Sequence, residues 1–164
     1  MTPKEAGIDM GEGEGIRTAV DLFILNNKDE VLLGLRTATT GESQWAFLGG
    51  HQKTGETILE CAEREKREEL GNKAKIVLTN CIVAVRENRL PPAFVPHLTV
   101  IILALYKSGE LETPAGEKNR EWKWFPLDKL PENLFSKADE VIKNYKENRA
   151  LVVTDFHIPP PALA

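Results

Sequence analysis

Apolar and polar positions fall in short alternating blocks along most of the chain, and these blocks predict strands more often than helices. "IRTAVDLFILN" (16–26) and "VLLGLR" (31–36) read as two strands, with "NKDE" (27–30) as the turn of a hairpin. "TATTGES" (37–43) is a polar loop, and "WAFLGGH" (45–51) is a short apolar run that ends in a glycine pair. "KIVLTNCIVAVRE" (75–87) predicts one long or bulged strand, and "NRLPPAFVP" (88–96) a proline-rich loop. "HLTVIILALYK" (97–107) has an apolar run long enough to place it at the centre of a sheet. After a loop at "SGELETPAGEKNR" (108–120), "EWKWFPL" (121–127) alternates Trp122, Lys123 and Trp124 as a further strand.

Two segments follow the helical period instead. The clearer one spans about 57–70, with Thr54 or Gly55 near the cap, Glu56 in the first turn and Gly71 as the stop. Ile58, Ala62, Lys66 and Leu70 recur every fourth residue as its apolar stripe, flanked by Leu59 and Cys61. Lys66 is the misfit in that stripe; its stem is expected to lie along the apolar side chains with the ammonium reaching outward. "DKLPENLF" turns into a second helix at about 136–148. Strands interspersed with two helices predict an α/β class, a mixed sheet packed between helices. Residues 1–15, rich in Gly and Glu, are expected to fray, residues 16–150 to form one domain, and residues 151–164, with three consecutive prolines, to run as an extended tail.

Composition narrows what such a domain does. At 164 residues the chain suits a single domain with a sizeable core. A net charge of −4 and a pI near 5.5 make it a poor electrostatic match for a nucleic-acid polymer. A small phosphorylated ligand stays open, because a metal ion can supply local positive charge. The first fifteen residues hold no apolar core of the signal-peptide kind, and the longest apolar run, "LTVIILALY" (98–106), is of strand length. No membrane association is expected, and the cytoplasm is the expected compartment. Cys61 and Cys81 lack C-x-x-C spacing and are predicted to be buried, reduced thiols. His51, His97 and His157 show no metal-ligand spacing. Trp45, Phe47 and Trp124 could stack on a base or fill the core.

The chemistry concentrates in "REKREELG" (64–71). Glu65, Glu68 and Glu69 share one face of the predicted helix, where like charges repel. Taken alone, this is either a solvated face with ion pairs such as Arg64–Glu68, or a gathering of carboxylates that holds something. The preceding Gly49 and Gly50 let backbone approach a ligand closely. Carboxylates and a backbone carbonyl together form an oxygen-rich site for a hard cation such as Mg²⁺. Two such ions could clamp a pyrophosphate and lower the pKa of a bound water, with one glutamate serving as general base.

The stretch from Gly50 to Asn72, "GHQKTGETILECAEREKREELGN", resembles the signature box of the Nudix hydrolases. In that pattern G, five residues, E and seven residues lead into R-E-U-x-E-E-x-G-U, where U is a bulky apolar residue. Gly50, Glu56, Arg64, Glu65, Glu68, Glu69 and Gly71 all fall at its spacing. Lys66 and Asn72 stand at the two apolar positions, and Leu48 where a proline often precedes the glycine pair. These departures touch packing more than chemistry. The likeness covers roughly 17–147, and the segments around the box look like MutT-type nucleotide pyrophosphohydrolases.

The resemblance implies the α/β/α Nudix fold and a catalytic set of Arg64, Glu65, Glu68 and Glu69. Glu65, Glu68 and Glu69 would ligate Mg²⁺, with Mn²⁺ the alternative, aided by the carbonyl of Gly49 or Gly50. Glu65 would also orient or deprotonate the attacking water. Arg64 would brace Glu56, and Gly71 would close the helix. Arg36 and His51 would meet substrate. Glu117, in preference to Glu121, would supply a further carboxylate from a later loop. The implied reaction takes a nucleoside or deoxynucleoside triphosphate to the monophosphate and pyrophosphate. A nucleotide-sugar hydrolase of the GDP-mannose type and a non-catalytic nucleotide-binding module are the alternatives. The implied partner is a small nucleotide, and the family also allows a homodimer.

Overall fold

A computed structural model describes residues 16–38, 41–90, 95–117, 119–147 and 152–154. Its strands are β1 (Arg17–Leu25), β2 (Glu30–Arg36), β3 (Trp45–Ala46), β4 (Leu48–His51), β5 (Lys75–Leu90), β6 (Val95–Ser108), β7 (Asn119–Pro126) and β8 (Val152–Thr154). The helices are α1 (Ile58–Leu70) and α2 (Ala138–Lys146). The strands form one mixed sheet in the order β3-β2-β1-β6-β5-β8, with β4 added against β1 and β7 against β2. As expected, β6 is central: it runs parallel to β1 from Arg17↔His97 to Leu25↔Leu105 and antiparallel to β5.

Alternation along β1 and β6 builds two cores, one on each sheet face. Val20, Leu22, Ile24, Val100, Ile102 and Ala104 pack with Cys61, Ala62 and Leu70 of α1. Phe23, Leu25 and Ile101 pack with Ala138, Val141 and Ile142 of α2. A period of two, apolar on both faces, makes the sheet the middle layer of three. Among the described residues no helix is long and apolar enough to cross a membrane.

Several expectations change. The β1–β2 hairpin is paired at the single register Leu25↔Val31, beside the turn, and β2 then pairs with β7 along its length. With both faces apolar, the pattern names no partner strand, and β1 takes β4 and β6 instead. The segment 88–96 is not wholly a loop, because the β5–β6 ladder continues from Asn88↔His97 to Leu90↔Val95. The N-cap of α1 is Thr57, not Thr54 or Gly55. Its hydroxyl accepts from the Glu60 N–H at 3.2 Å, and Glu60 reaches back to the Thr57 N–H at 2.8 Å. This capping box leaves Glu56 outside the helix. Cys81 is exposed, since β5 shifts register between Leu78 and Ile82 and turns this stretch outward, while Cys61 is buried. Lys66 keeps its stem covered, being only 17% exposed, and its ammonium donates to the Ile76 carbonyl at 3.2 Å and pairs with the exposed Glu63 at 2.5 Å. The expected frayed segment 1–15 and tail residues 155–164, His157 included, lie outside the described residues.

Candidate active site

The site begins at the glycine pair of β4. β4 pairs antiparallel with β1, setting Gly49 opposite Asp21 and Gly50 opposite Val20, so the pair continues the strand and makes no turn. A Cβ on Gly49 would strike the Val20 carbonyl and the Asp21 carboxylate, and one on Gly50 would strike the carboxylate of Glu65. Gly50 is therefore needed for close approach: Glu65 rests directly on the strand.

α1 buries more than its apolar stripe. Cys61, Glu65 and Glu69 recur every fourth residue, and the two glutamates are 5% and 1% exposed. This acidic line faces inward, whereas Glu68 is 42% exposed. The Cys61 thiol lies 3.9 Å from the Gly50 carbonyl, tying helix to strand. Burial pushes that thiol up to about 11, so it stays protonated and unreactive at neutral pH.

Arg64 joins the parts. Its Nε donates to Glu56 Oε1 at 2.5 Å and one terminal nitrogen to Glu56 Oε2 at 3.0 Å, a two-point clasp of one carboxylate. That nitrogen also donates to the His51 carbonyl at 2.9 Å. The other reaches Glu65 at 2.6 Å and Glu68 at 3.1 Å. Arg64 thus ties loop 51–56, the end of β4, Glu65 and Glu68 together with a planar fork that lysine cannot reproduce. The contact with Arg64, helped by the Lys53 N–H, holds the Glu56 carboxyl down at about 2.

Glu69 lies deeper. Its Oε2 accepts from Asn119 Nδ2, at the start of β7, at 2.6 Å. Arg36, at the end of β2, stacks 4.2 Å over the Phe135 ring, within electrostatic reach of Asp21 and Glu69. The ladder shifts register between Leu35 and Arg36, and such an irregularity re-aims the side chain that follows it. Burial lowers the Arg36 pKa, and the nearby acids oppose that. On the α2 side Asp21 pairs with Arg86 at 2.8 Å, and Arg86 also donates to the Ser136 carbonyl at 2.7 Å. His51 is exposed, with its ring 5.1 Å from that of His97. Beside it opens a cleft of about 560 Å³, lined by Arg17, Thr18, Gln52, Lys53 and Glu56 among others.

The structure thus brings together Gly50, Glu56, Arg64, Glu65 and Glu68, with Glu69 one turn further along. Gly71 ends α1 at φ 72, where a Cβ would also meet Glu112. Glu117 is placed by its backbone, whose carbonyl faces the Thr37 hydroxyl at 3.5 Å. Trp45, Phe47 and Trp124 each pack against another protein ring, respectively Phe125, Phe23 and Tyr106. Among the described residues no three acidic, histidine or cysteine side chains converge on one point, since Glu65 and Glu68 turn to Arg64 and Glu69 to Asn119. The donor chemistry still suits a hard cation: three carboxylates of one helix, with Glu65 against Gly50 and Glu68 accessible from solvent. Asn119, Asp21 and Arg86 had no signal in the linear pattern: Asp21 is one polar residue in an apolar strand, and Asn119 and Arg86 stand among other polar residues.

Comparison with known proteins shows the family and the fold. The NUDIX domain family model matches residues 15–145, and the chain belongs to that family. It is a Nudix hydrolase, and family membership supports cleavage of a pyrophosphate linkage in a nucleotide derivative. It is 27% identical over 124 residues to the oxidized purine nucleoside triphosphate hydrolase of Danio rerio, covering 74% of this chain and 73% of that one. The MutT protein of Methanosarcina mazei Go1 superposes with a TM-score of 0.72 at 20% identity, over 84% of this chain and 98% of that one. The NUDIX domain of Shewanella oneidensis NrtR, solved with ADP ribose, gives 0.65 at 19% identity, over 90% and 99%.

Proposed function

We propose that this hydrolase converts nucleoside or deoxynucleoside triphosphates to the monophosphate and pyrophosphate, with Mg²⁺, or Mn²⁺ in its place, at Glu65, Glu68, Glu69 and the carbonyl of Gly49 or Gly50. The observation that carries the reading is the inward acidic line of α1 lying against the glycine pair of β4, with Glu65 resting on Gly50. A bound divalent cation would stabilise charge developing on phosphoryl oxygens and lower the pKa of bound water.

The chain's own residues do the positioning on which phosphoryl transfer depends. Glu65, held from one side by Arg64 and from the other by Gly50 of β4, orients the attacking water and accepts its proton. Arg64 fixes loop 51–56 against the helix, so the end of β4 cannot drift from the glutamates. Arg36 supplies positive charge towards the substrate phosphates, and His51 faces the adjoining cleft. Glu117 is retained as the further carboxylate from the loop before β7.

The triphosphate preference draws on the name of the Danio rerio relative. A second reading, a nucleoside diphosphate joined to a sugar, is favoured by the ADP ribose held in the Shewanella domain, whose fold this chain shares. Incubation with Mg²⁺ and nucleoside triphosphates, dinucleoside polyphosphates, ADP-ribose and nucleotide sugars, followed by product identification, separates the two. Monophosphate plus pyrophosphate from triphosphates supports the first. Turnover confined to the sugar-linked compounds replaces it with the second, and tight binding without turnover points to a non-catalytic module.

A further inference from the structure

We propose that Asn119 is a positioning residue of the cation site: its amide donates to Glu69 when no cation is bound and turns its Oδ1 towards the cation when one is. This rests on the reading that Glu69 is a cation ligand.

Glu69 is buried to 1% exposure on α1, and a carboxylate there needs donors or a cation. Asn119 supplies a donor from β7, with Nδ2 at 2.6 Å from Glu69 Oε2. That amide is itself 5% exposed, and its Oδ1 is buried with no hydrogen-bond partner. An amide with its donor engaged and its acceptor idle is half satisfied, and buried polar atoms are seldom left so without a role. Its placement is specific. Asn119 pairs with Arg36 at the register shift of the β2–β7 ladder, and the missing side chain of Gly34 leaves it room; a Cβ there would lie 2.8 Å from Asn119 Cγ.

The two faces of the amide suit opposite states of the site. Without a cation, Nδ2 must face Glu69, because the reverse orientation sets two acceptors against each other. With a cation on Glu69, the donor is superfluous and a neutral carbonyl oxygen becomes the better neighbour, since hard cations take amide oxygens readily. A half-turn about the terminal torsion exchanges the two, and that torsion is soft. An aspartate at this position would favour the loaded state and penalise the empty one. Asparagine makes the site tolerable when empty.

The test uses the full-length protein, Mn²⁺ as the probe, and three proteins: wild type, Asn119→Asp and Asn119→Leu. Mn²⁺ binding is followed by electron paramagnetic resonance and thermal unfolding is recorded with and without the ion. In Asn119→Asp the metal-free Tm should fall, Mn²⁺ affinity should rise by roughly tenfold, and the Mn²⁺-induced rise in Tm should exceed that of wild type. Asn119→Leu keeps the bulk but neither polar face, and its affinity should fall by about tenfold. If both variants bind Mn²⁺ within about twofold of wild type, Asn119 is only a structural partner of Glu69 and the inference is overturned. Should one variant fail to fold, the other's affinity decides the matter. Wild-type protein that binds no Mn²⁺ overturns the cation reading itself, which distinguishes that failure from failure of the inference.

Discussion

Gly50→Ala probes the contact between β4 and the box helix most sharply. A Cβ at this position would lie 2.5 Å from Glu65 Cδ and Oε2, where ordinary contact begins at 3.4 Å, so about 1 Å must open between strand and carboxylate. The Glu65 carboxylate cannot yield freely, being 5% exposed and held by Arg64 at 2.6 Å. Overpacking of this kind costs about 1–3 kcal/mol, a Tm loss of roughly 2–12 °C in a domain this size. Activity should suffer more, because a displacement near 1 Å in a reacting constellation costs on the order of 10²-fold. Steady-state kinetics at saturating Mg²⁺, alongside thermal unfolding, reads both effects. A variant within about threefold of wild-type kcat would refute the claim that Glu65 must sit on this strand.

The Glu56–Arg64 clasp adds a pH dependence to stability. Glu56 is held at about 2 in the fold against an ordinary 4.5, so its contribution is complete above pH 4.5 and drains away as pH falls towards 2. Denaturation midpoints measured across that window should fall less steeply in Glu56→Gln than in wild type, and parallel curves would contradict the assignment. Thr57→Ala removes the cap hydroxyl that accepts from Glu60 N–H and should cost about 0.5–2 kcal/mol by chemical denaturation while leaving kcat unchanged. An equal loss of kcat would mean that the cap acts on the site.

The parts most legible in the sequence were those with a period or a spacing. The central strand 97–107, the helix ending at Gly71 and the three-layer class all follow from where apolar residues recur. Glycines and acids at fixed separations singled out the box before any coordinates. What the pattern missed has local causes. "TILE" (57–60) carries the capping-box signature, but Thr54 and Gly55 compete for the same role a turn earlier. The inward face of α1 is wider than its apolar stripe, because hydropathy ranks Glu65 and Glu69 as solvent residues although Arg64 and Asn119 make their burial tolerable. The β1–β2 hairpin looked regular because adjacent strands usually pair. Its separation reflects competition from β4, β6 and β7, which no local pattern records. Asn119 sits in a polar stretch of "GEKNREW", where nothing separates it from its neighbours until the fold sets it against Glu69.

The central claim is that the carboxylates of α1 carry Mg²⁺-dependent cleavage of a pyrophosphate linkage. The most direct measurement is kcat for Glu65→Gln and Glu69→Gln at saturating Mg²⁺, on whichever nucleotide the wild-type protein turns over fastest, with folding checked by circular dichroism. Folded variants with kcat reduced by about 10²-fold or more are the predicted result. Folded variants that keep kcat within about tenfold of wild type would contradict the account.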